Sequence, residues 1–205
     1  MNTGGWTSAR NVERELRITH SQLCALVWKN GRGRFEAGRL RSQTTGEWHD
    51  GNVITHVRAC QGHSIEWVLT SRLQTILYPT AVRHLSTICH GTQGEKLQSI
   101  LRYGLLRGGG EHNAKTERDV HLSAFTSFDP RTVSGMRFQS EVVIHFDVDE
   151  LLAHGVYVAS NGCILSPRDI PANMITKVMV YSHSGLAALY TPLTLPTTPL
   201  VPILC

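Results

Sequence analysis

The first part of the chain contains two short stretches in which apolar residues recur at the spacing of a helix. Each follows a hydroxyl residue that can cap a helix, and the second begins with the capping-box pattern Thr-His-Ser-Gln at residues 19–22. The spacing predicts helices over residues 7–17 and from residue 19 to about residue 31, where an Asn-Gly pair favours a left-handed end. The apolar positions that carry this prediction are Val12 and Leu16 in the first helix, and Leu23, Leu26 and Val27 on one face of the second.

Two strand-like stretches follow at residues 34–36 and 53–57, joined by a polar segment with a turn at residues 50–51. Two helices followed by such a hairpin indicate a small winged-helix-like lobe, to which we assign residues 1–79. Residues 1–60 hold nine Lys and Arg against five Asp and Glu, whereas the rest of the chain holds eleven of each. Attraction to phosphate groups is therefore expected mainly in this lobe.

Residues 80–190 are rich in strand patterns and form a second predicted lobe. One helix is predicted over residues 95–103, ending at Gly104, and a glycine-rich, charged loop follows over residues 107–118. The predicted strands lie at residues 87–89, 120–123, 141–148, 156–158, 163–165 and 177–181. Many short strands with few helices favour an α+β fold over a doubly wound sheet. Residues 191–205 carry four prolines and are predicted to be an extended tail.

Composition adds a few exclusions to this picture. Of the 205 residues, 41% are hydrophobic and 18% are charged, which is enough for a packed core. Apolar runs fall short of the roughly 18–20 residues of a membrane helix, and the N-terminus lacks a secretory pattern, so we expect an intracellular protein, cytoplasmic or nuclear. Five scattered cysteines without a Cys-x-x-Cys pair argue against a disulfide framework and a zinc site. We expect a monomer that binds no metal and no membrane.

Four short motifs combine glycine with groups that can bind a phosphate or a nucleotide. They are the stretch from Arg58 to Ser64, the triplet His90-Gly91-Thr92, the stretch from Ser134 to Arg137, and the pair Asn161-Gly162. Glycine lets a backbone come close to a ligand, and arginine offers paired donors to an anion. Taken singly, each motif is also compatible with an ordinary turn. The chain has no dinucleotide-binding glycine motif, phosphate loop, zinc-protease motif or nucleophile elbow.

In this order and spacing, the motifs resemble the RNA 2'-phosphotransferase family over residues 5–181. The further stretches that carry the resemblance are Gly31 to Phe35, the helix through Ser99 to Leu101, His121-Leu122, and Ser160 to Pro167. The resemblance implies a winged-helix lobe that binds RNA and a lobe with the ADP-ribosyltransferase fold that binds NAD. It also implies that the 2'-phosphate of a spliced, ligated tRNA attacks the NAD ribose and expels nicotinamide. A ribose hydroxyl then attacks the phosphorus and releases ADP-ribose 1'',2''-cyclic phosphate.

The resemblance implies a role for each motif. Arg58 would hold the 2'-phosphate, and Arg137 would contact the phosphate and assist the second step. Guanidinium suits this task because it is planar, permanently charged and able to bind two oxygens at once. The third position of the transferase pocket would be apolar, matching Cys163-Ile164. The residues that would bind NAD are His90, Gly91, Thr92, His121, Ser134, Asn161 and Gly162.

One feature of the family is expected to be missing here. Its members begin with an apolar helix that ends in an Arg-His pair, and Met1 corresponds to a point beyond that helix. Arg17 and His20 lie in a different predicted element, so they do not replace the pair by position. Two alternatives remain beside an NAD-dependent 2'-phosphotransferase, and the missing pair motivates the second of them. One is an ADP-ribosyltransferase that acts on terminal phosphates of RNA or DNA, and the other is a protein that binds NAD or RNA without turnover.

Overall fold

A computed structural model provides the structure of the protein and divides the chain into two compact units. The first comprises residues 1–75 and 159–161, and the second comprises residues 76–158 and 162–205. The residues that the structure describes are 1–31, 33–38, 54–63, 65, 67–68, 74–76, 85, 87–109, 119–127, 129–132, 134–137, 139–182 and 185–190. Helices combine with small antiparallel sheets, so the predicted α+β class is confirmed.

The first unit combines two helices with a three-stranded antiparallel sheet. The helices are α1 (Ala9–Leu16) and α2 (His20–Trp28), and the strands are β1 (Thr7–Ser8), β2 (Phe35–Gly38) and β3 (His56–Ala59), in the order β1-β3-β2. Residues 7 and 8 pair with β3 instead of starting the first helix, and the Ser8 hydroxyl accepts a hydrogen bond from the Asn11 backbone N–H. The predicted capping box of Thr19 and Gln22 is confirmed.

The core of the first unit shows that one predicted position was wrong. Leu23 and Val27 of α2 are buried, but the side chain of Leu26 is 53% exposed. The buried stripe of α2 runs through Leu23 and Val27 and includes the neighbouring Cys24, which packs against the same core. Leu26 lies on the opposite side of Leu23 from Cys24, so it points away from the stripe.

Two four-stranded sheets contain the remaining strands. One sheet has the order β11-β10-β7-β5, and the other has the order β4-β8-β9-β6. The strands of the first are β5 (Ile88–Thr92), β7 (Val142–Phe146), β10 (Ile175–Ser182) and β11 (Gly185–Tyr190); those of the second are β4 (Gln74–Ile76), β6 (Val120–Leu122), β8 (Tyr157–Ala159) and β9 (Ile164–Ser166). Strand β7 was predicted from alternation, but all five of its residues are buried, so apolar contacts cover both of its faces.

Two helices pack with these sheets, and the sequence predicted one of them. Helix α3 (Leu97–Tyr103) follows a short 3₁₀ turn at Gly94–Lys96 and ends at Gly104, as predicted. Gly104 has a φ of +81°, and a Cβ there would overlap the carbonyl oxygen of Ile170. Further 3₁₀ turns lie at Arg107–Gly109 and Ala172–Met174.

Helix α4 (Val148–His154) was not predicted, because the strand predicted over residues 141–148 includes its first residue. The signal was present in the sequence. Asp147 accepts a hydrogen bond from the Glu150 backbone N–H at 2.9 Å and caps the helix, and Gly155 ends it in a left-handed conformation.

Some predictions lie outside the described residues: the turn at residues 50–51, residues 110–118 of the glycine-rich loop, and the tail at residues 191–205. None of the helices in the described part of the chain has the length and apolar character that a membrane crossing requires.

Candidate functional site

Two histidines that are 31 residues apart in the sequence are joined in the second unit. Cys89 of β5 and Ser123, the residue after β6, exchange two backbone hydrogen bonds of 2.9 Å. This pairing brings β5 beside β6, and Nδ1–H of His90 donates a hydrogen bond to the carbonyl oxygen of His121 at 2.8 Å. Because a carbonyl only accepts, Nδ1 carries the proton. In the neutral ring, the Nε2 lone pair is therefore available as a hydrogen-bond acceptor.

The surroundings of His90 favour its neutral form. Burial is the largest effect and lowers the pKa of His90 below its usual 6.5, while the hydrogen bond to the His121 carbonyl raises it. Electrostatic interactions with His121 and Arg137 lower the pKa further. The site thus combines a neutral imidazole with the guanidinium of an exposed residue, Arg137.

The loop that carries Arg137 packs closely on β5 at Gly91. A Cβ at Gly91 would overlap the hydroxyl oxygen of Ser140 and would lie 2.6 Å from Cγ of Met136. The sequence suggested that this glycine makes room for a ligand. In the structure it makes room for two side chains of the protein.

Gly135 brings the same loop onto β6. Its φ is +87°, and a Cβ would overlap the carbonyl oxygen of Leu122 and lie 3.2 Å from Sγ of Cys163. Any other residue would combine left-handed strain with a clash against backbone. Gly91 and Gly135 therefore allow the loop from Ser134 to Ser140 to approach both strands that carry the histidines.

Sequence reasoning missed Ser140. Its hydroxyl donates to the carbonyl oxygen of Arg137 at 2.8 Å, and its backbone N–H donates to the same oxygen at 3.2 Å. The residues on either side of Ser140 bind the segment that follows β5. Gln93 Nε2 donates to the Gln139 carbonyl at 3.1 Å, and the Gly94 N–H donates to the Glu141 carboxylate at 2.9 Å. The only signal in the sequence was a serine three residues after Arg137, at the start of a strong strand pattern.

The other residues predicted for the NAD site lie on or near these elements. Thr92 ends β5 opposite Val142, and Ser134 is half-buried at the start of the Arg137 loop. Asn161 and Gly162 form part of the turn between β8 and β9, and the division between the two units falls between them. The structure thus brings together His90, Gly91, His121 and Arg137, whereas Asn161 belongs to the first unit.

Arg58 lies in the first unit, where its contacts include Glu36, Trp6 and Gly4. It stands on β3 directly opposite Glu36 of β2, and its Nε donates to the Glu36 carboxylate in an ion pair. Its guanidinium carbon lies 4.7 Å from the centroid of the Trp6 ring, and NH1 donates to the Gly4 carbonyl at 3.4 Å. The Arg58 side chain is only 15% exposed. An anion bound by Arg58 would therefore share the guanidinium with Glu36.

The rest of the motif from Arg58 to Ser64 supports the fold of the first unit. The Cys60 thiol donates to the Gly33 carbonyl at 3.1 Å, and His63 Nε2–H donates to the Ala59 carbonyl at 2.9 Å. Burial is the main cause that raises the pKa of Cys60. Ser64 lies outside the described residues.

Arg17 and His20 also have local structural roles in the first unit. Arg17 ends α1 in a left-handed conformation, with a φ of 53°. His20 Nδ1 lies 2.6 Å from Oε1 of Glu13, which joins α2 to α1. Within the described ranges, no group of three or more His, Cys, Asp or Glu side chains is arranged to hold a metal ion.

Comparison with known proteins gives a consistent family. The model of the "RNA 2'-phosphotransferase, Tpt1 / KptA family" matches residues 1–168. The chain is 32% identical over 123 residues to tRNA 2'-phosphotransferase 1 of Mus musculus and, equally, of Homo sapiens, which covers 59% of this chain and 45% of each relative. A probable RNA 2'-phosphotransferase of Acaryochloris marina is 26% identical over 185 residues, covering 87% of this chain and 85% of its own. The chain thus spans slightly less than half the length of the two mammalian relatives.

Proposed function

Because the chain belongs to the RNA 2'-phosphotransferase family, we propose that it is an NAD-dependent enzyme that removes the internal 2'-phosphate from a ligated RNA. The proposed RNA is spliced tRNA, and the proposed products are RNA with a free 2'-hydroxyl, nicotinamide and ADP-ribose 1'',2''-cyclic phosphate. The observation that supports the proposal best is the grouping of His90, His121 and Arg137 in the second unit.

The chemistry of this group suits NAD. A dinucleotide presents hydroxyl donors on its riboses and negative charge on its phosphates. His90 offers a neutral acceptor nitrogen whose orientation is set by the bond of Nδ1–H to the His121 carbonyl, and Arg137 offers a permanent positive charge. When bound, NAD supplies a ribose carbon with nicotinamide as the leaving group. The proposal assigns His90, Thr92, His121, Ser134 and Gly162 to its binding, together with the backbone of Gly91 and with Asn161.

Arg137 is proposed to hold the phosphate and to stabilise the charge that develops on its oxygens. A guanidinium fixed before the reaction stabilises such charge without solvent reorganisation. The 2'-phosphate is already a nucleophile, so the first step needs no side chain that removes a proton. This agrees with a site whose histidine is neutral and whose cation is an arginine.

Arg58 is proposed to bind the 2'-phosphate of the RNA from the first unit. Its guanidinium pairs with the Glu36 carboxylate and stacks on Trp6, so its orientation is set before an anion arrives. Because guanidinium has five N–H donors, it can bind a carboxylate and a phosphate at the same time.

The proposal is tested with an RNA oligonucleotide that carries one internal 2'-phosphate, incubated with and without NAD. We expect NAD-dependent loss of the 2'-phosphate and formation of the cyclic phosphate, and we expect Arg137→Ala to accumulate ADP-ribosylated RNA. Arg131→Ala is the matched control, because Arg131 is an exposed arginine of the same unit that pairs with Asp129. No NAD-dependent change in the RNA would overturn the proposal.

Two other results would point to the alternatives. A stable ADP-ribosyl group on a terminal phosphate of RNA or DNA would identify a transferase with a different acceptor. Binding of NAD or RNA without any product would identify a binding protein. Both are read from the same reaction mixtures, with 5'- and 3'-phosphorylated oligonucleotides added as substrates.

A further inference from the structure

We propose that Ser140 is a positioning residue that holds Arg137 in place beside His90, and that Gly91 provides the space which Ser140 needs. This inference rests on the proposed function, since it assigns a role to Ser140 in the same reaction. It is carried by the contacts of Ser140 in the structure.

Ser140 binds the backbone of Arg137 with two donors. Its hydroxyl and its backbone N–H lie 2.8 Å and 3.2 Å from the Arg137 carbonyl oxygen, and the residue is only 4% exposed. Water therefore competes little for these bonds. The pair of bonds spans only three residues, so it fixes the backbone at Arg137 and the start of the path that its side chain takes.

Ser140 also contacts the strand that carries His90. A Cβ at Gly91 would overlap the Ser140 hydroxyl oxygen and lie 2.9 Å from Cβ of Ser140, so the serine lies directly over the glycine. Gly91 follows His90 in β5, and an electrostatic interaction with Arg137 lowers the pKa of His90. One small buried side chain thus links the backbone of Arg137 to the strand of His90.

This link matters because Arg137 itself is exposed. An exposed arginine has many rotamers, and a small displacement of a charged group from a reacting phosphate is costly in rate. A hydrogen bond from a buried side chain to its carbonyl limits the positions that the guanidinium can reach. Supporting contacts of this kind determine how accurately a catalytic group is held.

The test compares Ser140→Ala with Ser127→Ala. Ser140→Ala keeps the backbone N–H bond and the Cβ that lies over Gly91, but it loses the hydroxyl and its hydrogen bond. Ser127 is equally buried, at 4% exposure, and its hydroxyl has no hydrogen-bond partner in the described part of the chain. We expect Ser140→Ala to slow the second step about fivefold, the loss of one ordinary hydrogen bond, and to accumulate ADP-ribosylated RNA, while Ser127→Ala has no effect.

A second measurement does not depend on activity. Among the described residues, electrostatic interactions with His121 and Arg137 lower the pKa of His90. NMR titration of His90 should therefore show a higher pKa in Arg137→Ala, and a smaller change in the same direction in Ser140→Ala. Ser140→Cys has a side chain of similar size and a weaker donor. Its His90 pKa should lie between those of Ser140→Ala and the wild type, and this variant replaces the alanine variant if that one is unstable.

The two measurements separate the inference from the proposed function. If the wild type shows no NAD-dependent reaction but Ser140→Ala raises the pKa of His90, the proposed function fails and the positioning of Arg137 stands. If the wild type is active and Ser140→Ala changes neither the pKa of His90 nor the accumulation of ADP-ribosylated RNA, the positioning role is overturned.

Discussion

Nδ1–H of His90 donates to the backbone carbonyl oxygen of His121 at 2.8 Å, across two strands that are joined by the bridge between Cys89 and Ser123. The bond gives the two nitrogens of the His90 ring different roles. Nδ1 supports the packing of β5 on β6, and Nε2 is the atom to which we assign ligand binding. The two roles can therefore be tested with different substitutions.

We expect His90→Asn and His90→Ala to differ in stability but not in activity. The asparagine amide can reproduce the donor at Nδ1 but offers no acceptor at the position of Nε2. His90→Asn should therefore keep the unfolding free energy of the wild type, while His90→Ala should lose about 1 kcal/mol, the value of one hydrogen bond. Both should lose NAD affinity. Calorimetric NAD binding and urea unfolding check this, and full NAD affinity in His90→Asn would contradict it.

We expect Gly91→Ala to destabilise the second unit. The added methyl group meets the Ser140 hydroxyl and Met136, and overpacking of this kind costs about 1–3 kcal/mol. Gly31→Ala is the control, because a Cβ there meets nothing within 4 Å in the described part of the chain. Urea unfolding of both variants measures the difference. Equal midpoints for the two would show that the Arg137 loop does not pack on β5 as described.

His145 should make the stability of the protein depend on pH. The residue is 5% exposed in β7, its Nδ1 lies 2.6 Å from the Thr87 hydroxyl, and Nε2 has no hydrogen-bond partner among the described residues. Burial first, and the charge of Lys177 second, lower its pKa from 6.5 to about 4. Because the unfolded chain then binds the proton more readily, stability is present above pH 6.5 and falls as the pH decreases towards 4.

The His145→Gln variant tests this pH dependence. Over that window the wild type should lose about 3 kcal/mol more than the variant, as follows from the fall of the His145 pKa from 6.5 to about 4. Unfolding free energies measured between pH 7 and pH 4 provide the comparison. Parallel curves for wild type and His145→Gln would contradict the assignment.

Arg58 should determine whether the protein distinguishes a 2'-phosphate from a 2'-hydroxyl. A guanidinium–phosphate pair contributes about 1.5–3 kcal/mol, so Arg58→Ala should reduce the ratio of the two RNA affinities at least tenfold. Arg14→Ala removes one positive charge from α1 of the same unit and serves as the control. Arg14→Ala should weaken the binding of both RNAs to a similar, salt-dependent extent, so the ratio of their affinities should not change. An unchanged ratio in Arg58→Ala would exclude Arg58 as the phosphate ligand.

Local signals in the sequence predicted those elements that local interactions stabilise. The capping box at Thr19 and the glycine that ends α3 were found because caps are made by residues a few positions apart. Helix α4 was missed, although Asp147 and Gly155 mark its ends, because the apolar alternation before it was extended one element too far. Leu26 was misplaced because spacing gives the width of an apolar stripe but not the side on which the core lies.

In the candidate site, too, the sequence predicted local features but not the contacts between distant residues. Its residue types, glycines beside histidine and arginine, stand in the sequence as separate motifs, and their order was enough to indicate a family. The sequence did not predict which of these motifs contact one another. The contact of His90 with His121 joins positions 31 residues apart, and it forms only because two strands pair. Ser140 was missed because its importance comes from Gly91, which is distant in the chain and close only in the fold.

The sequence by itself therefore determined the α+β class, several helix ends and the chemical groups available for phosphate and nucleotide binding, since these depend on residue type and on neighbours along the chain. Only the tertiary structure decided that His90 is neutral with its proton on Nδ1, that Arg58 is paired with Glu36, and that Gly91 receives Ser140. Each of these depends on burial and on cross-strand register, and both arise when distant segments pack and water is excluded between them.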